Sequence, residues 1–214
     1  MQLESSIPSP WLAALGLRGN NPAVAPAGVW TTRIVSILFA DLKGYTRMSG
    51  QLQPSALLTL LNRYLARVVP PIQAMGGFVD KYMGDCLMAL FDGAESDTAL
   101  EAVLGMRRGL SDLNADRALA GEPALASTLG VHTGEVVIGT VGCSGRVDLT
   151  AIGEPVNTAA RVQGLCGQHQ CAVLVSGATV AALRAPQRFS LTLVDPAAPL
   201  KGLATPVPLH RLDP

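Results

Sequence analysis

The chain has 214 residues, which at roughly 150 residues per domain makes one domain with an appendage and excludes a repeat array or fibre. Lys plus Arg and Asp plus Glu each number 16, so there is no basic field for nucleic acid and no acidic tail, and a charged ligand must be met locally. Apolar residues make up 49% and charged residues 15%. The longest apolar runs, Ile34 to Ala40 and Val136 to Gly142, fall far short of the roughly 20 residues that cross a membrane. No positive cluster precedes the short run from Trp11 to Leu17, so a secretory signal is a poor reading and a cytoplasmic protein without membrane insertion is expected.

Residues 1–29 carry Pro8, Pro10, Pro22 and Pro26 with Gly16, Gly19 and Gly28, the composition of an arm or linker. The working domain is expected over 30–214. Its opening run from Arg33 to Asp41 is almost continuously apolar and β-branched, which predicts a central strand covered on at least one face and ending on a carboxylate. Pro54 suits a first helical residue, and Leu57, Leu61, Tyr64, Leu65, Val68, Ile72 and Met75 keep a helical period up to Gly76-Gly77. Pro70-Pro71 is expected to kink or break the last turns of that helix.

Two short strands, Gly77 to Lys81 and Asp85 to Phe91, are predicted around a turn in which Gly84 supplies a positive φ. A second helix is expected from about Glu95 to Leu119, because Ala99, Val103, Met106, Leu110 and Leu113 lie on one face. Strands from Leu125 to His132 and from Glu135 to Val141 follow, hinged at Thr133-Gly134. A third helix is predicted from Pro155, and a final strand near Thr205 to Arg211. The order βαββαβ indicates an α+β, ferredoxin-like core with appended elements and helices on one face of the sheet.

Four cysteines, Cys86, Cys143, Cys166 and Cys171, form no CxxC pair, and reduced thiols are expected. The segment from Cys166 to Cys171 matches no common zinc spacing and reads as a helix-to-strand loop. Asp41 stands at the end of a buried strand and Asp85 opens the strand after the hairpin. If the two strands are neighbours, the carboxylates can converge on a divalent cation, Mg²⁺ or Mn²⁺, shared with a substrate phosphate; taken alone, aspartates at strand ends are more often turn formers. Asn157 and Arg161, four residues apart, share a helix face and make a phosphate-facing pair or a solvated polar edge. Lys81 and Lys201 read individually as solvated lysines, and His132 as a packed core histidine. No Walker A or GxGxxG pattern is present.

Together the segments are more specific than apart. Phe39-x-Asp41-Leu-x-Gly44-Tyr-Thr46, Asp80-Lys81-Tyr-Met-Gly84-Asp85, Gly130-Val-His-Thr-Gly134-Glu-Val and Asp148-Leu-Thr150-Ala-Ile-Gly153-x-x-Val-Asn157-x-Ala-Ala-Arg161 resemble, in order and spacing, the signatures of the class III nucleotidyl cyclase catalytic domain. The resemblance covers about residues 30–211. It implies an adenylate cyclase that converts ATP to 3′,5′-cyclic AMP and pyrophosphate, a lyase with two divalent metal ions, Mg²⁺ or Mn²⁺, per site.

It also implies roles for individual residues. Asp41, Asp85 and the backbone carbonyl of Leu42 would hold the metals, and Lys81 and Thr150 would read adenine. Asn157 would orient the ribose, Arg161 would stabilise charge on the α-phosphate, and Lys201 and Arg146 would approach the phosphates. Adenine, with an acceptor at N1 and a donor at N6, complements a Lys and Thr pair, whereas guanine has the opposite polarity. Because the family builds its site from two catalytic domains and this chain carries both residue sets, a homodimer with two shared sites is implied. A regulatory domain outside this chain is compatible with the resemblance. A nucleotide- or metal-sensing module that has lost turnover, and a guanylate cyclase, are the competing readings.

Overall fold

A computed structural model describes residues 28–93, 96–143 and 146–213. The proline-rich residues 1–27, which make up nearly all of the expected arm, lie outside the described residues. Gly28, the first described residue, donates its N–H to the Thr140 carbonyl at 2.9 Å.

The elements in chain order are β1 (Trp30–Leu42), α1 (Tyr45–Gln51), α2 (Pro54–Ala74), β2 (Phe78–Met83), β3 (Cys86–Asp92), α3 (Ser96–Leu119), β4 (Ser127–Cys143), β5 (Arg146–Ile152), α4 (Glu154–Gly164), β6 (Val173–Ser176), α5 (Gly177–Ala181), β7 (Leu191–Ala198) and β8 (Val207–Leu212). One sheet runs in the order β2-β3-β1-β4-β6-β8-β7, with β5 paired to the far half of β4. Strands β2, β3, β1 and β4 with helices α2 and α3 form the expected ferredoxin-like βαββαβ core.

The apolar residues of β1 alternate between two cores. Leu38, Ala40 and Leu42 pack with Tyr64, Val68 and Ile72 of α2 and with Leu100, Val103 and Met106 of α3. Val35, Ile37 and Phe39 face the other way, against Val136, Ile138 and Ala159. The expectation of helices on one face is therefore corrected. A strand apolar on both faces must be covered on both, and α4 supplies the second cover. Each large apolar side chain buried in these layers contributes roughly 1.5–3 kcal/mol relative to exposure. No helix among the described residues is long and apolar enough to cross a membrane.

Three local expectations also change. Helix α2 runs unbroken through Pro70 and Pro71 to Ala74. The prolines deprive the Ala66 and Arg67 carbonyls of their i+4 donors, but α3 packs there on glycines: a Cβ at Gly105 would sit 2.8 Å from the Pro71 Cβ, and one at Gly109 would collide with the Arg67 carbonyl. Tertiary packing of this kind outweighs local propensity. The supposed hinge at Thr133-Gly134 is uninterrupted strand, because both residues pair with β1 opposite Ser36 and Val35, and Thr133 shares a buried 2.8 Å hydroxyl hydrogen bond with Ser36. Strand β5 was not among the expected elements, although Val147, Leu149 and Ala151 alternate with polar neighbours, the period of a half-buried strand.

Helix α4 sits on β4 where the strand has no side chain. A Cβ at Gly130 would overlap the backbone of Gln163, lying 2.5 Å from its Cα. The substitution Gly130→Ala is expected to cost on the order of 1–3 kcal/mol through overpacking, read as a lowered melting temperature. An unchanged melting temperature would mean that α4 is not seated on this position.

Candidate active site

Antiparallel pairing of β1 with β3 ends at Ala40 opposite Leu87, and β2 returns to β3 through a two-residue turn at Gly84-Asp85, since Met83 pairs with Cys86. Gly84 has φ of 69°, the left-handed conformation that glycine adopts without a steric penalty. Asp85 thus lies in the turn, one residue before the strand it was expected to open. This places it beside Asp41, close enough for a hydrogen bond between the two side chains. Burial, then the charge of Asp85, then that hydrogen bond raise the Asp41 pKa above its ordinary value. Burial first, and the two carboxylates after it, push the Cys86 thiol up to about 11. Burial also holds the Tyr64 phenol at about 12.

Two adjacent carboxylates, the charge of Asp85 adding to burial in raising Asp41, make an incomplete anionic cup. Among the described residues no group of three or more His, Cys, Asp and Glu side chains could hold a metal ion. The oxygen donors available, Asp41, Asp85 and the neighbouring Leu42 carbonyl, suit a hard divalent cation that keeps other positions for water or phosphate oxygens.

A second grouping forms across the sheet. The Lys81 ammonium donates to the Thr150 hydroxyl oxygen at 2.5 Å, although the residues are 69 positions apart. Sequence spacing gave no contact between them, and the β4–β5 hairpin makes it by returning Thr150 opposite Gly139. Asp80 completes the cluster. Its Oδ2 lies 2.8 Å from the Lys81 Nζ and accepts the Thr150 hydroxyl at 2.9 Å. The Asp80 side chain is 0% exposed, and burial raises its pKa against the opposing pull of Lys81 and Thr150.

The third grouping lies on α4. Asn157 is exposed and Arg161 half-buried one turn later. The guanidinium rests against the turn that carries Lys201: a Cβ at Gly202 would be 3.3 Å from the Arg161 Nη2, and Gly202 has φ of 78°. Lys201 itself is exposed. The Arg146 side chain lies outside the described residues. His132 is a packed histidine, with Nδ1 2.8 Å from the Ser176 hydroxyl and its pKa lowered to about 4 by burial. Cys166 is buried and donates its thiol to the Leu129 carbonyl at 3.3 Å, in the expected loop between a helix and a strand. None of the candidate residues lines the groove of about 510 Å³ between α2 and α3; Asp41, Lys81, Asp85, Thr150 and Arg161 are half-buried, and Asn157 and Lys201 are exposed.

Comparison with known proteins identifies the family and the fold. The family model described as the adenylate and guanylate cyclase catalytic domain matches residues 30–207. An adenylate cyclase of Anabaena cylindrica is 37% identical over 98% of this chain, which spans 42% of that protein's length. Among solved structures, the adenylyl cyclase CyaB from P. aeruginosa superposes with a TM-score of 0.78 at 25% identity, covering 86% of this chain and 96% of that one. The guanylyl cyclase Cya2 gives 0.72 at 27% identity, over 85% and 92%.

The Asp41–Asp85 repulsion sets a sign for stability against pH. With its folded pKa above 3.8, Asp41 binds its proton more tightly in the folded chain, so stability falls as pH rises through the window from 3.8 to the raised value. In metal-free protein, Asp85→Asn is expected to shrink that fall and to raise the melting temperature at neutral pH. Melting curves across pH in the presence of a chelator read both effects. A steeper fall in the variant would exclude the repulsion.

Proposed function

We propose that this chain, which belongs to the family of adenylate and guanylate cyclase catalytic domains, converts ATP to 3′,5′-cyclic AMP and pyrophosphate at sites shared between two copies. The observation that carries this reading is the contact between Lys81 and Thr150. Two residues drawn from distant segments meet at 2.5 Å with hydrogen-bonding polarity that suits adenine.

Cyclisation requires the ribose 3′-oxygen to attack the α-phosphorus in line while pyrophosphate leaves, so positioning and charge stabilisation dominate. Asp41, Asp85 and the Leu42 carbonyl would hold two divalent cations, Mg²⁺ or Mn²⁺, which would supply Lewis acidity to the reacting phosphate. Lys81 donates to adenine N1 and Thr150 accepts from the N6 amine, a pattern that guanine inverts. Asn157 orients the ribose from the exposed face of α4. Arg161, one turn further on, places fixed positive charge against the α-phosphate, where preorganised groups commonly contribute several kcal/mol. Lys201 faces the terminal phosphates across the Gly202 turn, with Arg146 on the neighbouring hairpin. The catalytic unit is residues 30–214.

The presence of both residue sets in one chain supports a homodimer in which the carboxylates of one copy face the base and phosphate residues of the other. Purified protein with Mn²⁺ or Mg²⁺ and ATP is expected to release cyclic AMP, and GTP far less cyclic GMP. Asp41→Ala and Arg161→Ala are each expected to lower kcat by about a hundredfold or more. Mixing the two inactive variants is expected to restore activity, because each mixed dimer regains one intact site. Nucleotide binding without cyclic product would favour the sensing module, and absence of recovery on mixing would overturn the shared site.

A further inference from the structure

Asp80 is assigned no role by the resemblance, yet the fold spends an irregularity on it. Adjacent residues of a strand point to opposite faces, so Asp80 and Lys81 should diverge. The β2–β3 register shifts between Val79 and Lys81, a bulge of the kind that re-aims a side chain, and the Asp80 carboxylate comes to lie 2.8 Å from the Lys81 ammonium. The carboxylate is fully buried, and its Oδ1 has no hydrogen-bond partner among the described residues. A buried acceptor left unsatisfied is unfavourable for folding, so the group is poorly explained as a stabilising device.

Its effect on Thr150 is more specific. A threonine hydroxyl carries one proton and two lone pairs, and alone it can rotate to donate or accept. Here the proton goes to Asp80 Oδ2 at 2.9 Å rather than to the more distant Ala151 carbonyl at 3.5 Å, and one lone pair takes the Lys81 N–H at 2.5 Å. What remains is a single lone pair, able only to accept. Lys81 likewise spends two of its three N–H donors on Asp80 and Thr150 and keeps one. We infer that Asp80 is a specificity-determining positioning residue: by holding the Thr150 proton it fixes that hydroxyl as an acceptor and so selects a purine with an exocyclic amine at C6 over one with a carbonyl there.

This inference rests on the proposed reading of Lys81 and Thr150 as the base-contacting pair. It differs from that reading in locating the choice of base in a third residue that need not touch the base. Without Asp80 the hydroxyl regains its proton, can donate to the O6 of guanine, and the pair loses discrimination while keeping its side chains.

The test compares the parent chain with Asp80→Asn, Thr150→Val and the double variant, with thermal unfolding confirming that each folds. ATP and GTP are measured as substrates with Mn²⁺ and, separately, as competitors of a fluorescent ATP analogue, which reports base preference without turnover. Asp80→Asn is expected to lower the ATP-over-GTP preference by about tenfold, the worth of one hydrogen bond. The change should appear mainly in KM and in the competition constants. In the Thr150→Val background the same change should have no further effect on the preference, since no hydroxyl remains to be polarised.

Asp80→Asn with an unaltered ratio, or with both nucleotides weakened equally, would overturn the inference and leave the cyclase reading standing. A further shift of the ratio in the Thr150→Val background would also overturn it. A parent that binds ATP over GTP but releases no cyclic product would remove the cyclase reading, while loss of the binding preference in Asp80→Asn would still support the inference. A parent that binds neither nucleotide would end both.

Discussion

The antiparallel register of β1 against β4, unbroken over all 13 residues of β1, is the constraint on which the rest of the structure depends. It makes β1 interior to the sheet on both edges and apolar on both faces, so helices must cover it from either side. It fixes where β1 ends, and so where Asp41 stands relative to the β2–β3 turn. It also leaves the far half of β4 free of β6, and β5 pairs there to return Thr150 toward Lys81. One strand pairing therefore sets the carboxylate end of the site and the base-reading end together, which makes the glycines that permit α4 to approach β4 part of the same construction.

Charge is sparse in this chain, and the site concentrates it where it is unfavourable. Burial and the neighbouring charge of Asp85 raise the proton affinity of Asp41, and Asp80 is buried with one oxygen unpaired. Paired surface charges elsewhere, such as Arg67 with Asp116 at 2.8 Å, are exposed and contribute little. A fold selected for stability alone would neutralise or remove the buried carboxylates. The arrangement of Asp41 and Asp85 is intelligible when a cationic ligand would supply the missing charge, while Asp80 already has the Lys81 ammonium beside it at 2.8 Å.

What the sequence disclosed and what it withheld divide along a physical line. Gly84, the Asp41 strand end and the helix carrying Asn157 and Arg161 were legible because each is a local signal: a turn residue, a strand boundary, a helical spacing. The continuity of α2 past Pro70-Pro71 was not legible, because it depends on Gly105 and Gly109 of another helix. The strand through Thr133-Gly134 looked like a hinge because its reason, pairing with Ser36 and Val35, lies about a hundred residues away. Helix α4 on the second face follows from the two-sided pattern of β1, which the sequence displayed and a one-sided reading did not use. Asp80 stood in a recognisable motif, but its contact with Thr150 requires a bulge that no spacing rule announces.

The charged groups not used in folding form complementary halves. Among the described residues no carboxylate pairs with Arg161 or Lys201, and no Lys or Arg pairs with Asp41 or Asp85. Had these groups faced one another within the chain they would have neutralised each other and closed the site to ligand. Held apart within the chain, the carboxylates keep their need for cations and the guanidinium and ammonium keep their need for phosphate. A polyphosphate carrying divalent cations satisfies both at once. On the proposed shared site, two copies would offer it both halves, and substrate binding and assembly would draw on the same unspent electrostatics.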